Sequence, residues 1–189
     1  MSCEVTPELI KEEKPDSVII ATGSKTLILP IEGIDNPAII HGSDLLDGKR
    51  PAGKKVLVVG GGMVGCETAA FLGEQEHDVT VIEFRDTVGA DVIHEHRVYL
   101  MKDFEDYGIK EITGAKVCKF YEDGVEYETA DGVRHETRGY DSVILSMGFR
   151  NYNPLEEKIK DLVPETHVIG DAIRARRALD ATKAVSYTH

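Results

Sequence analysis

Lys54-Lys55-Val56-Leu57-Val58-Val59-Gly60-Gly61-Gly62-Met63-Val64-Gly65 decides the fold. Val56 to Val59 is an unbroken apolar run, the pattern of a strand buried on both faces of a parallel sheet. It runs straight into Gly60-x-Gly62-x-x-Gly65. Cys66 to Gln75 then has helical composition, with Ala69, Ala70 and Leu72 as helix formers. In a strand–loop–helix of this kind the first glycine permits the tight turn. The second lets backbone approach a pyrophosphate, and the third lets helix and strand pack closely. Amides left unpaired at the helix N-terminus, around Gly61, Met63 and Val64, face the anion.

The next strand is Val79 to Phe84, and it carries Glu83, 18 residues after Gly65. A carboxylate there accepts from both ribose hydroxyls of adenosine and repels a 2′-phosphate, which favours NAD over NADP. Arg85 works the other way, because a nearby arginine accommodates that phosphate. A glycine-rich turn in some other α/β fold is the alternative. The complete strand, loop, helix, strand and acid argue against it.

Outward from this centre, Asp91 to Tyr107 reads as an amphipathic helix with Ile93, Leu100, Phe104 and Tyr107 on one face, ended by Gly108. The period then changes to two. Lys116–Tyr121, Val125–Thr129 and Val133–Thr137 read as three strands joined at Glu122-Asp123-Gly124 and Ala130-Asp131-Gly132, where Asp-Gly is a hairpin signal. Asp141 to Ser146 is a further buried strand, followed by Met147-Gly148. Before the centre, residues 8–14 read as the end of a polar helix stopped by Pro15, and Asp16 to Ala21 as a short buried strand turned by Thr22-Gly23-Ser24. Residues 30–53 hold three of the seven prolines and read as connection, with Ser43 capping a short turn through Leu46. Near the end come a polar helical turn at 155–161, a strand from Thr166 to Ile169 closed by Gly170-Asp171, and a helix from about Ala178.

The chain has 189 residues with 34 acids against 22 Lys plus Arg, a formal charge of −12. Such a balance repels nucleic acid and anionic lipid. The dense basic patch Arg174, Arg176 and Arg177 is too short to reverse it; a phosphate or partner clamp and an ordinary surface role stand equal there. No apolar run is long enough to cross a bilayer, and the polar, acidic start has no secretory pattern. Cys3, Cys66 and Cys118 lie far apart, which argues against a disulfide framework, a zinc site or an iron–sulfur cluster and makes a reduced, cytoplasmic setting the expectation.

Cys66 sits in the first turn of the loop helix and reads as a small packing residue rather than a stabilised thiolate. Glu67 either helps position the nicotinamide end or is an acid favoured by the helix dipole in the first turn. His94-Glu95-His96 reads as a solvated face, since helix positions two apart point to different sides.

Four segments together resemble one family: Val18-Ile19-Ile20-Ala21-Thr22-Gly23-Ser24, Val58 to Glu67, Val143-Ile144-Leu145-Ser146-Met147-Gly148, and Val168-Ile169-Gly170-Asp171. Their order is similar to the pyridine-nucleotide–disulfide oxidoreductases, in which an NAD(P)-binding domain is inserted into an FAD-binding domain. The flanks Glu4 to Ile10 and Gly170 to Ala181 resemble the C-terminal module of NADH:flavin oxidoreductases of the old-yellow-enzyme type, which include 2-enoate reductases, dienoyl-CoA reductases and NADH oxidase-like enzymes. The resemblance implies an α/β fold: a Rossmann-like NAD-binding domain, with a parallel sheet, helices and an antiparallel three-stranded meander, flanked by remnants of an FAD-binding domain. It implies domain crossovers at the Ala-Thr-Gly and Ser-Met-Gly segments.

The assigned boundaries are residues 1–50 for an FAD-domain remnant and connection, 51–139 for the NAD(P)-binding domain, and 140–189 for the return into the remnant. Gly60, Gly61, Gly62, Met63, Val64, Gly65, Glu83 and Arg85 are then expected at the adenosine diphosphate half of NAD, with Gly148 giving clearance near the nicotinamide. Ala21, Thr22, Gly23, Gly170 and Asp171 are expected on the FAD side. The family's earlier glycine fingerprint for FAD, its barrel with FMN and its CxxC pair are not matched. The expectation is therefore the NADH-binding module of a flavin-dependent oxidoreductase, of enoate reductase, dienoyl reductase or NADH oxidase type. NAD(H) is expected in this chain and FAD in the parent. Alone the chain is expected to be inactive, its partner the missing flavin segment or barrel domain, with a homodimer through exposed remnants as a further expectation. The alternative is a non-catalytic nucleotide-binding or electron-transfer subunit that docks a separate flavoprotein. No catalytic acid, base or nucleophile and no metal site is assigned.

Overall fold

The chain folds into two compact units in the computed structural model, which describes residues 3–176 and 178–186. One unit runs up to Leu27 and resumes at Phe149; the other is Ile28–Gly148. The first begins with helix α1 (Pro7–Glu13). The Thr6 hydroxyl accepts from the Leu9 N–H at 3.3 Å, Pro7 suits the first turn, and Lys14 ends the helix in left-handed geometry at φ 48°. These caps make residues 7–13 a whole short helix rather than the tail of a longer one, and it ends before Pro15 is reached. Strands β1 (Ser17–Ile20) and β2 (Ser24–Thr26) follow.

The second unit is built on β3 (Ile40–His41), α2 (Gly42–Leu46), β4 (Lys55–Val59), α3 (Met63–Glu74), β5 (Asp78–Ile82), α4 (His94–Asp106) and β6 (Lys110–Ile112). A meander of β7 (Lys116–Tyr121), β8 (Gly124–Glu128) and β9 (Arg134–Thr137) comes next, then β10 (Ser142–Leu145). The main sheet has the order β3-β10-β4-β5-β6, with every neighbouring pair parallel. Alternate residues of β4 face opposite ways. Val56 and Val58 pack with Ala69, Leu72, Leu100 and Phe104 from α3 and α4, while Leu57 and Val59 pack with Phe120 and Val125 of the meander. Burial on both faces explains the unbroken apolar runs of β4, β5 and β10.

Here the structure departs from several expectations. Residues 30–53 are more than connection: Ile40 pairs with Ile144, so β3 forms the edge of the main sheet. Strands β3 and β10 both lie in the compact unit Ile28–Gly148. His41, not Ser43, occupies the N-cap of α2, and it makes no side-chain cap bond. On α4 only Leu100 and Phe104 of the expected face are buried; Ile93 and Tyr107 lie at its ends and are exposed, because the helix spans 94–106 rather than 91–107.

The first unit resumes with β11 (Phe149–Asn151), antiparallel to β2, then α5 (Glu156–Ile159) and β12 (Glu165–Val168), parallel to β1. A 3-10 turn at Gly170–Ala172 leads to α6 (Ala178–Ser186). Strand β1 is less buried than its sequence implies. In a two-stranded sheet one side of it packs on a small core of Ile10, Ile20, Ile159, Val163 and Ala172, and Ile19 on the other side is 60% exposed.

Among the described residues no helix is long and apolar enough to cross a membrane, and no group of three or more His, Cys, Asp or Glu is placed to hold a metal ion. Arg177 of the basic patch lies outside the described residues.

Ile159 is fully buried at the centre of the first unit's small core. Ile159→Ala leaves a cavity and is expected to cost about 2–5 kcal/mol. Amide hydrogen exchange should show lost protection in β1 and β12; unchanged protection there would contradict the assignment of this core.

Candidate functional site

The site grows from the end of β4. The Gly60 N–H donates to the Ile82 carbonyl at 2.9 Å, and the Ser146 N–H to the Val59 carbonyl at 2.8 Å, so Gly60 lies among the ends of three parallel strands. Strand β5 follows β4 on one side and β10 returns on the other. This is a topological switch point, where open parallel sheets leave a crevice for ligands. Gly60 has φ +106°, and a Cβ there would run into the Ser146 carbonyl. A Cβ on Gly65 would collide with the Gly60 carbonyl oxygen. The helix thus starts in direct backbone contact with the strand end, as the third glycine of the motif requires.

Gly62 is the N-cap of α3 and contributes no side-chain bond, which leaves the first amides of the helix to outside acceptors. Two carboxylates meet the amides here, one in the loop and one at the helix start. Glu83, one residue past β5, accepts from the Gly61 N–H at 2.6 Å through Oε2 and from the Arg85 N–H at 2.9 Å through Oε1. Asp91 accepts from the Met63 N–H at 2.9 Å. Each Glu83 oxygen retains a lone pair beyond these bonds, so the carboxylate can still accept from hydroxyls. The structure brings Gly60–Gly65 and Glu83 together as the sequence implies, and leaves the Arg85 side chain exposed.

The residues fit a dinucleotide. The loop glycines sit where a Cβ would run into its surroundings, the Ser146 carbonyl at Gly60 and the Glu83 and Val88 side chains at Gly61, so the backbone itself forms the surface of the loop. The Ser146 hydroxyl lies buried at the switch point without a hydrogen-bond partner. Gly148 has φ +94° and open space where a Cβ would stand.

Sequence reasoning missed Asp91. The available signal was an acid just before a helix, eight residues beyond Glu83. It also placed Glu67 in the first turn of α3, whereas that turn holds no acid; Glu67 lies one turn further on and pairs with His96 Nε2 at 3.3 Å on the surface. His94, Glu95 and His96 are all exposed, as expected of a solvated face. Cys66 is buried, its thiol donating to the Gly61 carbonyl at 3.2 Å. Burial, with the charges of Asp91, Glu111 and Glu83, pushes this thiol up to about 12. It is a packing residue, not a thiolate.

In the first unit, Ala21-Thr22-Gly23 and Gly170-Asp171 end adjacent parallel strands, the Ile169 N–H donating to the Ile20 carbonyl at 3.0 Å. Thr22 donates to the Tyr152 carbonyl. The Asp171 carboxylate accepts from the Ser24 hydroxyl at 3.3 Å and from the Arg176 N–H at 3.2 Å. Gly23 at φ +73° and Gly170 at φ +60° turn the chain out of each strand.

Residues 6–170 match the pyridine nucleotide-disulphide oxidoreductase family. The chain belongs to this family. It is 33% identical over 178 residues to bilirubin reductase of Mediterraneibacter gnavus, covering 94% of this chain and 27% of that protein. It is likewise 33% identical over 182 residues to NADH oxidase of Thermoanaerobacter brockii, covering 94% and 28%. A solved 2-naphthoyl-CoA reductase in complex with 2-naphthoyl-CoA superposes with a TM-score of 0.83 at 32% identity, over 94% of this chain and 27% of that one. The chain thus spans little more than a quarter of the length of these oxidoreductases, and its Rossmann-like α/β architecture is theirs.

Two outcomes follow from the packing at the loop. Gly65→Ala forces α3 away from the Gly60 carbonyl and is expected to destabilise the second unit by about 3 kcal/mol or more, read as a lower urea midpoint at unchanged slope. Iodoacetamide at pH 8 should label exposed Cys3 in the folded chain and Cys66 only after unfolding. Because the folded Cys66 holds its proton to about pH 12 and an unfolded thiol releases it near pH 8.5, its contribution to stability is full below the unfolded value. It is lost as pH rises through that window, so a urea midpoint that falls no faster in alkali than that of Cys66→Ala would refute the assignment.

Proposed function

We propose that this chain is the NADH-binding module of a flavin-dependent oxidoreductase of enoate reductase, dienoyl reductase or NADH oxidase type. The observation that carries the reading is the glycine loop at the switch point, with the Glu83 carboxylate fastened to Gly61. Kinship with bilirubin reductase and NADH oxidase supports it.

In this reading the backbone of Gly60–Gly65 and the N-terminal amides of α3 bind the pyrophosphate. Glu83 accepts from the adenosine ribose hydroxyls and disfavours a 2′-phosphate, and Arg85 flanks it. The small residue at Gly148 leaves room for the nicotinamide end. Ala21, Thr22, Gly23, Gly170 and Asp171 belong to the FAD side, where Ser24 and the Arg176 amide orient the Asp171 carboxylate. NADH held here would supply a hydride to the flavin, and that redox chemistry would belong to the cofactors. This chain contributes binding and orientation, with no side chain assigned as acid, base or nucleophile. The partner is the flavin-binding remainder of the parent enzyme.

Calorimetric titration tests the reading. NADH should bind and NADPH should bind at least tenfold more weakly; Glu83→Gln should narrow that preference. Equal binding of both nucleotides by the unmodified chain would remove the NAD assignment, and binding of neither would remove the module assignment.

A further inference from the structure

The two carboxylates at the glycine loop reach it in different ways. Glu83 projects from the end of a strand inside the sheet and is half-buried. Asp91 stands on the exposed connection between β5 and α4. Its Oδ1 accepts from the Met63 N–H at 2.9 Å, and a Cβ on Gly62 would lie 3.2 Å from its Oδ2. Met63 is the first residue of α3, so the amide that Asp91 holds is one of the orphan donors at the positive end of that helix. Those donors are the ones a pyrophosphate uses. One N–H cannot serve both anions, and two anions in contact there repel each other.

We propose that Asp91 sets the affinity of the nucleotide site: it is an internal anion that caps α3 until the pyrophosphate displaces it. This inference rests on the reading of the loop as a dinucleotide site.

The surrounding backbone is built to stay in place while the carboxylate leaves. The Gly89 N–H donates to the Gly61 carbonyl at 2.7 Å. Val88 and Val92 are buried in the core on either side. Arg97 donates to the Thr87 hydroxyl at 2.8 Å and to the Val88 carbonyl at 3.1 Å. The connection is therefore pinned at Val88, Gly89 and Val92, and rotation about the Asp91 side-chain bonds is the small movement that frees the Met63 amide. The exchange favours the nucleotide because its pyrophosphate meets several amides of the loop at once, that of Met63 among them. The same exchange makes binding weaker than it would be to an uncapped helix.

NADH titrations of the unmodified chain, Asp91→Asn and Asp91→Ala distinguish the cases. Asparagine keeps a neutral acceptor for the Met63 N–H and removes the charge; it is expected to bind NADH about two- to fivefold more tightly. Asp91→Ala should bind more tightly as well. Its melting temperature without nucleotide should fall below that of the unmodified chain, and the gap should close at saturating NADH. If the unmodified chain binds NADH and Asp91→Asn binds it equally or more weakly, the nucleotide reading stands and the role of Asp91 is overturned. If none of the three chains binds NADH or NADPH, the nucleotide reading itself fails and this inference falls with it.

Discussion

Everything at the site depends on one close approach, the seating of Gly65 against the carbonyl of Gly60. A helix can start this near the end of its strand only where no Cβ intervenes. The approach fixes the axis of α3 and aims its first amides at the crevice beside β4. It also leaves α3 free to pack Cys66, Ala69 and Leu72 on Val56 and Val58. Small side chains on the helix and branched ones on the strand let the two surfaces mesh at high density. The burial of Cys66 belongs to this packing, which is why a thiol beside a helix N-terminus carries no thiolate character.

The same strand-end logic operates twice in the chain with different support. In the second unit, β4 has a neighbour on each side and is covered on both faces, so the turn at Gly60 is held by bonds to its two neighbouring strands. In the first unit, β1 and β12 form a sheet of two, with one face on a five-residue core. Gly23 and Gly170 leave those strands through left-handed turns, and side chains stabilise what the sheet does not. Ser24 and the Arg176 amide share the Asp171 carboxylate, while Thr22 bonds across to the Tyr152 carbonyl. Two-stranded sheets are marginal by themselves, and these polar ties replace missing neighbours.

How much of this could be read from the sequence follows from the range of the forces involved. Strands β4, β5 and β10, the helix α3 and the three-stranded meander declare themselves through local patterns: continuous apolar runs, glycine spacing and Asp-Gly turns. The burial of Leu100 and Phe104 was legible for the same reason. Strand β3 was not, because Ile40-His41 is two residues in a proline-punctuated stretch and becomes a strand only through pairing with β10, about a hundred residues away. At the site, the glycines and Glu83 follow a spacing that chemistry imposes. Asp91 follows none, since its place at Met63 is set by how the connection after β5 folds back over Gly61.

A formal charge of −12 would at first sight oppose the proposed binding of an anion at the loop. Net charge acts at long range and is screened within about 8 Å at physiological ionic strength. Oriented amides act in contact, and their partial charges cannot be titrated or moved. Around Gly60–Gly65 the acids do not oppose this arrangement uniformly. Glu83 and Asp91 each spend a carboxylate oxygen on a loop amide, and that satisfies backbone donors which would otherwise need water. The acidity of the surroundings is thereby part of how the loop keeps its shape. On the proposed reading, an anion at the loop would meet donors already aligned by these bonds and exchange one acceptor for another, rather than be drawn to the protein as a whole.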